Sequence, residues 1–208
     1  MNNTATQNVA ETARPKKSLT RFLKPLVFVI CLVPIALVVF RIASGRVVDP
    51  IDALIHSTGE WSLRFLLITL CVTPIQIIFK WGAVAKLRRM LGLFVFFYAS
   101  LHLAVWVALD QGLDPVAVVY AVVDKPFITL GMIVWLGLLA LAVTSNRFSV
   151  RKLGVKWKML HNWIYFLSVL AVVHFVWQVK SNEILEPAMY LGVLAGLLVW
   201  RFIRVVKR

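Results

Sequence analysis

Long apolar runs alternate along this chain with short stretches of charged and turn-forming residues. Six of the runs are long enough to cross a bilayer as a helix, which takes about 20 residues. They are Pro25–Ala43, Trp61–Phe79, Met90–Leu109, Pro126–Ser145, Met159–Val179 and Leu185–Val206. The pattern predicts an all-α fold, a six-helix transmembrane bundle. It divides the chain into an N-terminal tail, residues 1–24, expected to be flexible, and a six-span domain, residues 25–208. The first run is longer than the apolar part of a signal peptide and lacks a small-residue cleavage site, so it reads as a retained span. Pro34 and Pro74 fall inside the first two spans, where they are expected to kink the helix and free carbonyls that neighbouring helices must satisfy. Asp114–Asp124 is apolar but too short to cross; with Pro115 in its first turn it is expected to lie along the surface as a helix. Gly192 and Gly196 are spaced as GxxxG, which favours close packing within the bundle over a dimer contact.

Composition agrees with this picture, at 61% hydrophobic and only 15% charged residues, too apolar for a soluble globular domain. A net charge of +14 would suggest nucleic acid as the partner of a soluble protein. In a membrane protein the charge is read by position, and the partner is the lipid bilayer, with no nucleic acid expected. Of the lysines and arginines, only Arg41, Arg46, Arg64, Lys125 and Lys180 fall on one side of the six spans. Every acidic residue except Glu11 falls on that same side. Basic residues mark the cytoplasmic face, so both termini are expected to be cytoplasmic. Cys31 and Cys71 lie in apolar stretches, form no CxxC, and read as small core residues.

Ionisable side chains inside a membrane span are costly and usually functional. His102 lies just past the middle of the third span, His174 in the matching half of the fifth, and His161 near the fifth span's other end. At 1.5 Å per residue, His102 and His174 differ in depth by about 5 Å, but His102 and His161 by about 15 Å. Two histidines clamping one iron must share a depth, so His102 and His174 are the expected axial ligands of a haem. The plainer alternative is a hydrogen bond from each across helices. Arg64, one turn into the second span, is expected either to pair with haem propionates or to snorkel to the interface. His56 falls outside the spans, near Asp52 and Glu60, and has the weaker claim to a role. His161 sits beside Lys156, Trp157 and Lys158, opposite a third-span end, Leu87–Leu93, that offers Arg88, Arg89 and Met90 but no histidine. Arginine binds phosphate well and iron poorly. That end therefore suits a flavin phosphate or an acidic headgroup, with Trp157 or Trp163 to stack on a flavin ring; plain positive-inside charge and an interfacial aromatic belt are the alternatives. His161 is expected to serve a flavin, a quinone or an inner haem there, or else to snorkel among its lysines.

The segments GEWSLRFLLITLCVTP (Gly59–Pro74), LRRMLGLFVFFYASLH (Leu87–His102), DKPFITLG (Asp124–Gly131), LGVKWKMLHNWIYF (Leu153–Phe166) and VVHFVWQVK (Val172–Lys180) resemble one family. It is the MsrQ family, the haem-binding membrane subunits of bacterial periplasmic protein-methionine-sulfoxide reductases, within the wider ferric-reductase-like transmembrane domains. The resemblance covers about Pro25 to Arg208 and implies b-type haem, bound FMN and an inner-membrane location. It also implies a periplasmic molybdopterin-containing catalytic subunit as partner, with quinol or a cytosolic flavin reductase as electron donor. The family's membrane histidines fall on His102, His161 and His174, while Arg88 stands where two-haem oxidases carry an inner ligand. The expected function is an electron conduit without its own substrate site. No GxGxxG is present for a nucleotide, so the reductant is expected to be a separate molecule. The rivals are a ferric or cupric metalloreductase and a histidine-relay transporter. The transporter is disfavoured because no Asp or Glu lies well inside a predicted span and no repeated pair of broken helices appears.

Overall fold

The structure, a computed structural model, describes residues 17–178 and 185–207. Among the described residues all regular structure is helical. In chain order the helices are α1 (Lys17–Ala43), α2 (Pro50–Ile78), α3 (Gly82–Ala85), α4 (Arg88–Val105), α5 (Pro115–Asp124) and α6 (Pro126–Val143). After these come α7 (Arg147–Leu153), α8 (Val155–Asn162), α9 (Ile164–Gln178) and α10 (Leu185–Val206). Among the described residues six helical stretches are long and apolar enough to cross a membrane: α1 from Leu23, α2, α4 with its extension to Asp110, α6, α8 with α9, and α10.

Local signals explain where the helices start. Asp49 caps α2, its carboxylate accepting from the N–H groups of Ile51 and Asp52 at 3.0 Å each, with Pro50 in the first turn. Asp114 caps α5 in the same way, accepting from the Val116 N–H at 2.8 Å ahead of Pro115. Asn146 caps α7, and Gly154, at φ +50°, separates α7 from α8 where a side chain would be strained. The short apolar stretch at Pro115–Asp124 is the expected separate helix, outwardly exposed at Val116, Val119 and Val123.

Several expectations need correction. The second span begins at Pro50 rather than Trp61, because the Asp49–Pro50 cap starts the helix well before the apolar run. His56 and Glu60 therefore sit on α2, not in a loop, and Glu60 is an acid within a spanning helix. Helix α1 reaches back to Lys17, so residues 17–24 are helical rather than tail. Residues 1–16, Lys180 and Glu183 lie outside the described residues. Among the described residues Gly192 and Gly196 do not mediate close packing within the bundle: a Cβ built on either meets none of them within 4 Å.

Helix α2 packs along α4, and α6 along α9; the two pairs meet where α4 contacts α6. Helix α1 covers α2, and α10 packs on α9 and α2. The core is built from Leu63, Leu66 and Leu70 of α2, Leu91, Phe94, Val95 and Tyr98 of α4, and Val172 of α9. Pro34 is accommodated as the sequence requires. The Tyr98 hydroxyl donates to the Cys31 carbonyl at 2.8 Å and accepts from the Ile35 N–H at 3.3 Å, bridging the turn that contains Pro34. Cys31 is buried and Cys71 half-buried, both as free thiols. Leu26, Val29, Ile30 and Phe40 of α1 point outward, as expected of a surface against lipid.

Candidate functional site

His102 on α4 and His174 on α9 each turn back onto the helix their own helix packs against. The His102 Nδ1 lies 2.9 Å from the Ile55 carbonyl of α2, and the His174 Nδ1 lies 2.7 Å from the Phe127 carbonyl of α6. A carbonyl oxygen only accepts, so Nδ1 carries the proton in both rings and Nε2 is left with a free lone pair. A backbone carbonyl behind the imidazole is the usual support of a metal-ligating histidine. The two ring centroids are 6.4 Å apart, and the planes cross at 80°.

These residues fit a haem iron. With a metal–nitrogen bond of about 2 Å and a ring centre little more than an ångström beyond the nitrogen, two axial imidazoles have centroids about 6.3 Å apart. Both histidines line a cavity of about 350 Å³ between α2, α4, α6 and α9. Its inner wall is apolar, with Leu63, Leu66, Ala99, Leu138 and Ala171, and its rim is polar, with His56, Gln111, Lys125 and Gln178. Asp52, Glu60 and Asp110 also line the cavity, so the carboxylate edge of an amphipathic macrocycle would meet Lys125 among acids. One turn after His102 the helix widens into a π-helical turn, Trp106–Asp110, whose Trp106 and Asp110 also line the cavity. Such turns are frequent at functional sites. Among the described residues no three histidine, cysteine or acidic side chains cluster to hold a metal by themselves. Two protein ligands suit an iron whose other positions a porphyrin fills.

The remaining candidates lie elsewhere. The Arg64 guanidinium pairs with Glu60 at 2.9 Å and Glu186 at 3.2 Å, donates from Nε to the Tyr190 hydroxyl at 2.8 Å, and covers the Trp61 ring at 5.0 Å. It joins α2 to α10 and is not in the cavity wall, where Lys125 is the lysine or arginine among the described residues. His161 stacks on Trp157, with centroids 3.9 Å apart and planes at 25°. Its Nδ1 lies 3.2 Å from the Trp157 carbonyl and its Nε2 3.3 Å from the Ser145 hydroxyl. Trp157 itself donates to the Thr144 carbonyl at 2.9 Å, so this cluster stitches α8 to the end of α6. Arg88 and Arg89 begin α4 with exposed side chains, and Trp163 is exposed with its ring edge-on to Phe166. His56 lies 3.3 Å from Asp52 on α2 and borders the cavity. Sequence reasoning missed the Ile55 and Phe127 carbonyls, because a backbone acceptor leaves no mark in residue identity.

A membrane bundle that brings histidines from two separate spans to one cavity defines a class: helical membrane proteins whose geometry suits a metal-centred group between two spans. The family described as "Ferric reductase like transmembrane component" matches residues 58–172. The "Protein-methionine-sulfoxide reductase heme-binding subunit MsrQ" of Bordetella parapertussis is 43% identical over 181 residues, 86% of this chain and 88% of its own. The protein of the same description from Xanthomonas euvesicatoria is 43% identical over 185 residues, covering 86% and 84%, and that from Brucella anthropi is 42% identical over 180 residues, covering 86% and 81%. No solved structure matches the chain. The chain belongs to the MsrQ family of ferric-reductase-like membrane proteins.

Proposed function

We propose that this chain is the electron-transfer subunit of a methionine-sulfoxide reductase system and binds one b-type haem between His102 and His174. The observation that carries this reading is the pair of imidazoles 6.4 Å apart, each with Nδ1 tied to a carbonyl of a neighbouring helix. When bound, haem supplies a one-electron carrier whose potential its axial ligands and surroundings tune. The chain's own residues hold the imidazole tautomers, exclude water with the leucine and alanine wall, and offer Lys125 to the carboxylate edge. The propionate role expected of Arg64 is weaker beside its pairing with Glu60 and Glu186.

The acceptor in this reading is a periplasmic molybdopterin-containing subunit that reduces protein methionine sulfoxide, and the location is the bacterial inner membrane. The positive-inside distribution supports cytoplasmic termini, and in this reading the polar rim of the cavity faces the periplasm. Quinol or a cytosolic flavin reductase is the donor. Bound FMN belongs at the basic end, where Arg88 and Arg89 suit its phosphate and where Trp157 and His161 lie. A ferric or cupric metalloreductase shares the same bundle; the description of the relatives favours methionine-sulfoxide repair.

The test is haem content by pyridine haemochrome on purified protein. One haem per chain is expected, and His102→Ala or His174→Ala should each remove most of the Soret band while the protein still inserts. Wild-type haem stoichiometry with a low-spin spectrum in both variants refutes the assignment.

A further inference from the structure

Each histidine anchor has a glycine four residues after its carbonyl: Gly59 follows Ile55 on α2, and Gly131 follows Phe127 on α6. Residues four apart share a helix face, and the Cα–Cβ bond leans toward the helix N-terminus. A side chain at the fourth position therefore overhangs the carbonyl one turn back. A Cβ at residue 59 would lie 3.0 Å from Nδ1 and 3.1 Å from Cε1 of His102. A Cβ at residue 131 would lie 2.8 Å from Cε1, 3.2 Å from Nδ1 and 3.3 Å from Nε2 of His174. Neither glycine has a positive φ, so backbone freedom does not call for it. Inside a helix each instead costs stability against alanine, which something at the site must offset.

We propose that Gly59 and Gly131 are positioning residues for the two axial ligands, and that their missing side chains, with the Ile55 and Phe127 carbonyls, hold the imidazole planes crossed. The device is built twice. The histidine follows its carbonyl by 47 residues in both cases, once from α2 to α4 and once from α6 to α9. Other glycines of the bundle do not share it: a Cβ at residue 137 would strike Leu167, at residue 92 it would only graze Thr69, and at residue 192 it meets nothing. The crossing has an electronic consequence. Each imidazole donates π density perpendicular to its own plane. With an iron held between them, planes at 80° would feed two different d orbitals almost equally and keep them near-degenerate. Low-spin ferric iron in that field gives an electron paramagnetic resonance spectrum with one large, isolated gmax feature. Parallel planes give a rhombic spectrum instead.

The inference rests on the haem reading above, and the experiment separates the two. Purified oxidised wild type, Gly131→Ala, Gly59→Ala and Gly192→Ala are compared by electron paramagnetic resonance, haem stoichiometry and redox titration. Wild type and Gly192→Ala should show the large-gmax signal. Gly131→Ala, with the closest contact, should lower gmax and shift the midpoint potential, or lose haem while the protein still accumulates. Gly59→Ala should shift both in the same direction by less. If Gly131→Ala fails to accumulate, Gly59→Ala decides by the same criterion. A wild type with no low-spin bis-imidazole signal overturns the haem reading itself. A rhombic wild-type spectrum, or alanine variants with wild-type gmax, potential and haem, overturns the glycine assignment and leaves the haem reading standing.

Discussion

Tyr98→Phe removes one hydroxyl and leaves the ring in place, so its effect isolates a single polar bridge. That hydroxyl donates to Cys31 at 2.8 Å and accepts from Ile35 at 3.3 Å, a donor and acceptor that bond directly in an unbroken helix but here flank Pro34. Tyr98 is 1% exposed and Cys31 2%, so neither water nor a headgroup replaces the lost contacts. Leaving a buried polar group unpaired costs about 1–3 kcal/mol, whereas interhelical hydrogen bonds in membrane proteins average about 0.6 and reach about 1.7 kcal/mol. The freed backbone groups regain part of the loss if the turn relaxes, so a destabilisation of about 1–2 kcal/mol is expected. The measurement is reversible unfolding of purified protein in mixed micelles, followed by helical circular dichroism. In a Pro34→Ala background the helix can close the Cys31–Ile35 bond itself, and the cost of Tyr98→Phe should fall by about 1 kcal/mol in a double-mutant cycle. Equal stability of Tyr98→Phe and wild type refutes the bridge. The same cost in both backgrounds refutes its link to the proline.

Fusions test orientation: alkaline phosphatase on the C-terminus should be inactive and GFP there fluorescent, and the reverse pattern overturns cytoplasmic termini. His161→Ala should keep the dithionite-reduced haem spectrum but lose bound FMN or reduction by quinol or flavin reductase. A wild type holding two haems per chain that falls to one in His161→Ala points instead to an inner haem, and unchanged haem, FMN and reduction leave His161 a purely structural role. Arg64→Met leaves Glu60 and Glu186 facing each other across α2 and α10, half exposed, so a stability loss of about 1 kcal/mol with retained haem is expected. If Arg64→Met loses haem while Lys125→Met keeps it, the roles assigned to the two cations are reversed.

What the sequence made legible is what a one-dimensional pattern carries. Helix α10 matches its apolar run because lipid length sets both. The surface helix at Pro115 and the turn at Pro34 were readable because proline acts through its own ring, whatever surrounds it. His102 and His174 emerged as a pair because 1.5 Å per residue converts spacing into depth. Helix α2 was misjudged for the opposite reason: its polar first turns, with Asp52, His56 and Glu60, look like a loop to an apolar criterion. Only the Asp49–Pro50 cap announced the helix. The Gly192–Gly196 spacing was over-read, since small residues permit close approach but cannot bring a neighbour to them. The stacking of His161 on one face of Trp157 is a contact that the i, i+4 spacing allows but does not single out, since either ring could equally face a ligand or the interface. The glycine seats are the hardest case. A hydrogen atom in place of a side chain leaves no signal in an apolar run, and Gly59 and Gly131 resemble any tolerated glycine until the ring beside each is placed. The 2.8 Å at which a Cβ on residue 131 would meet His174 then explains why the helix accepts the loss of a side chain there.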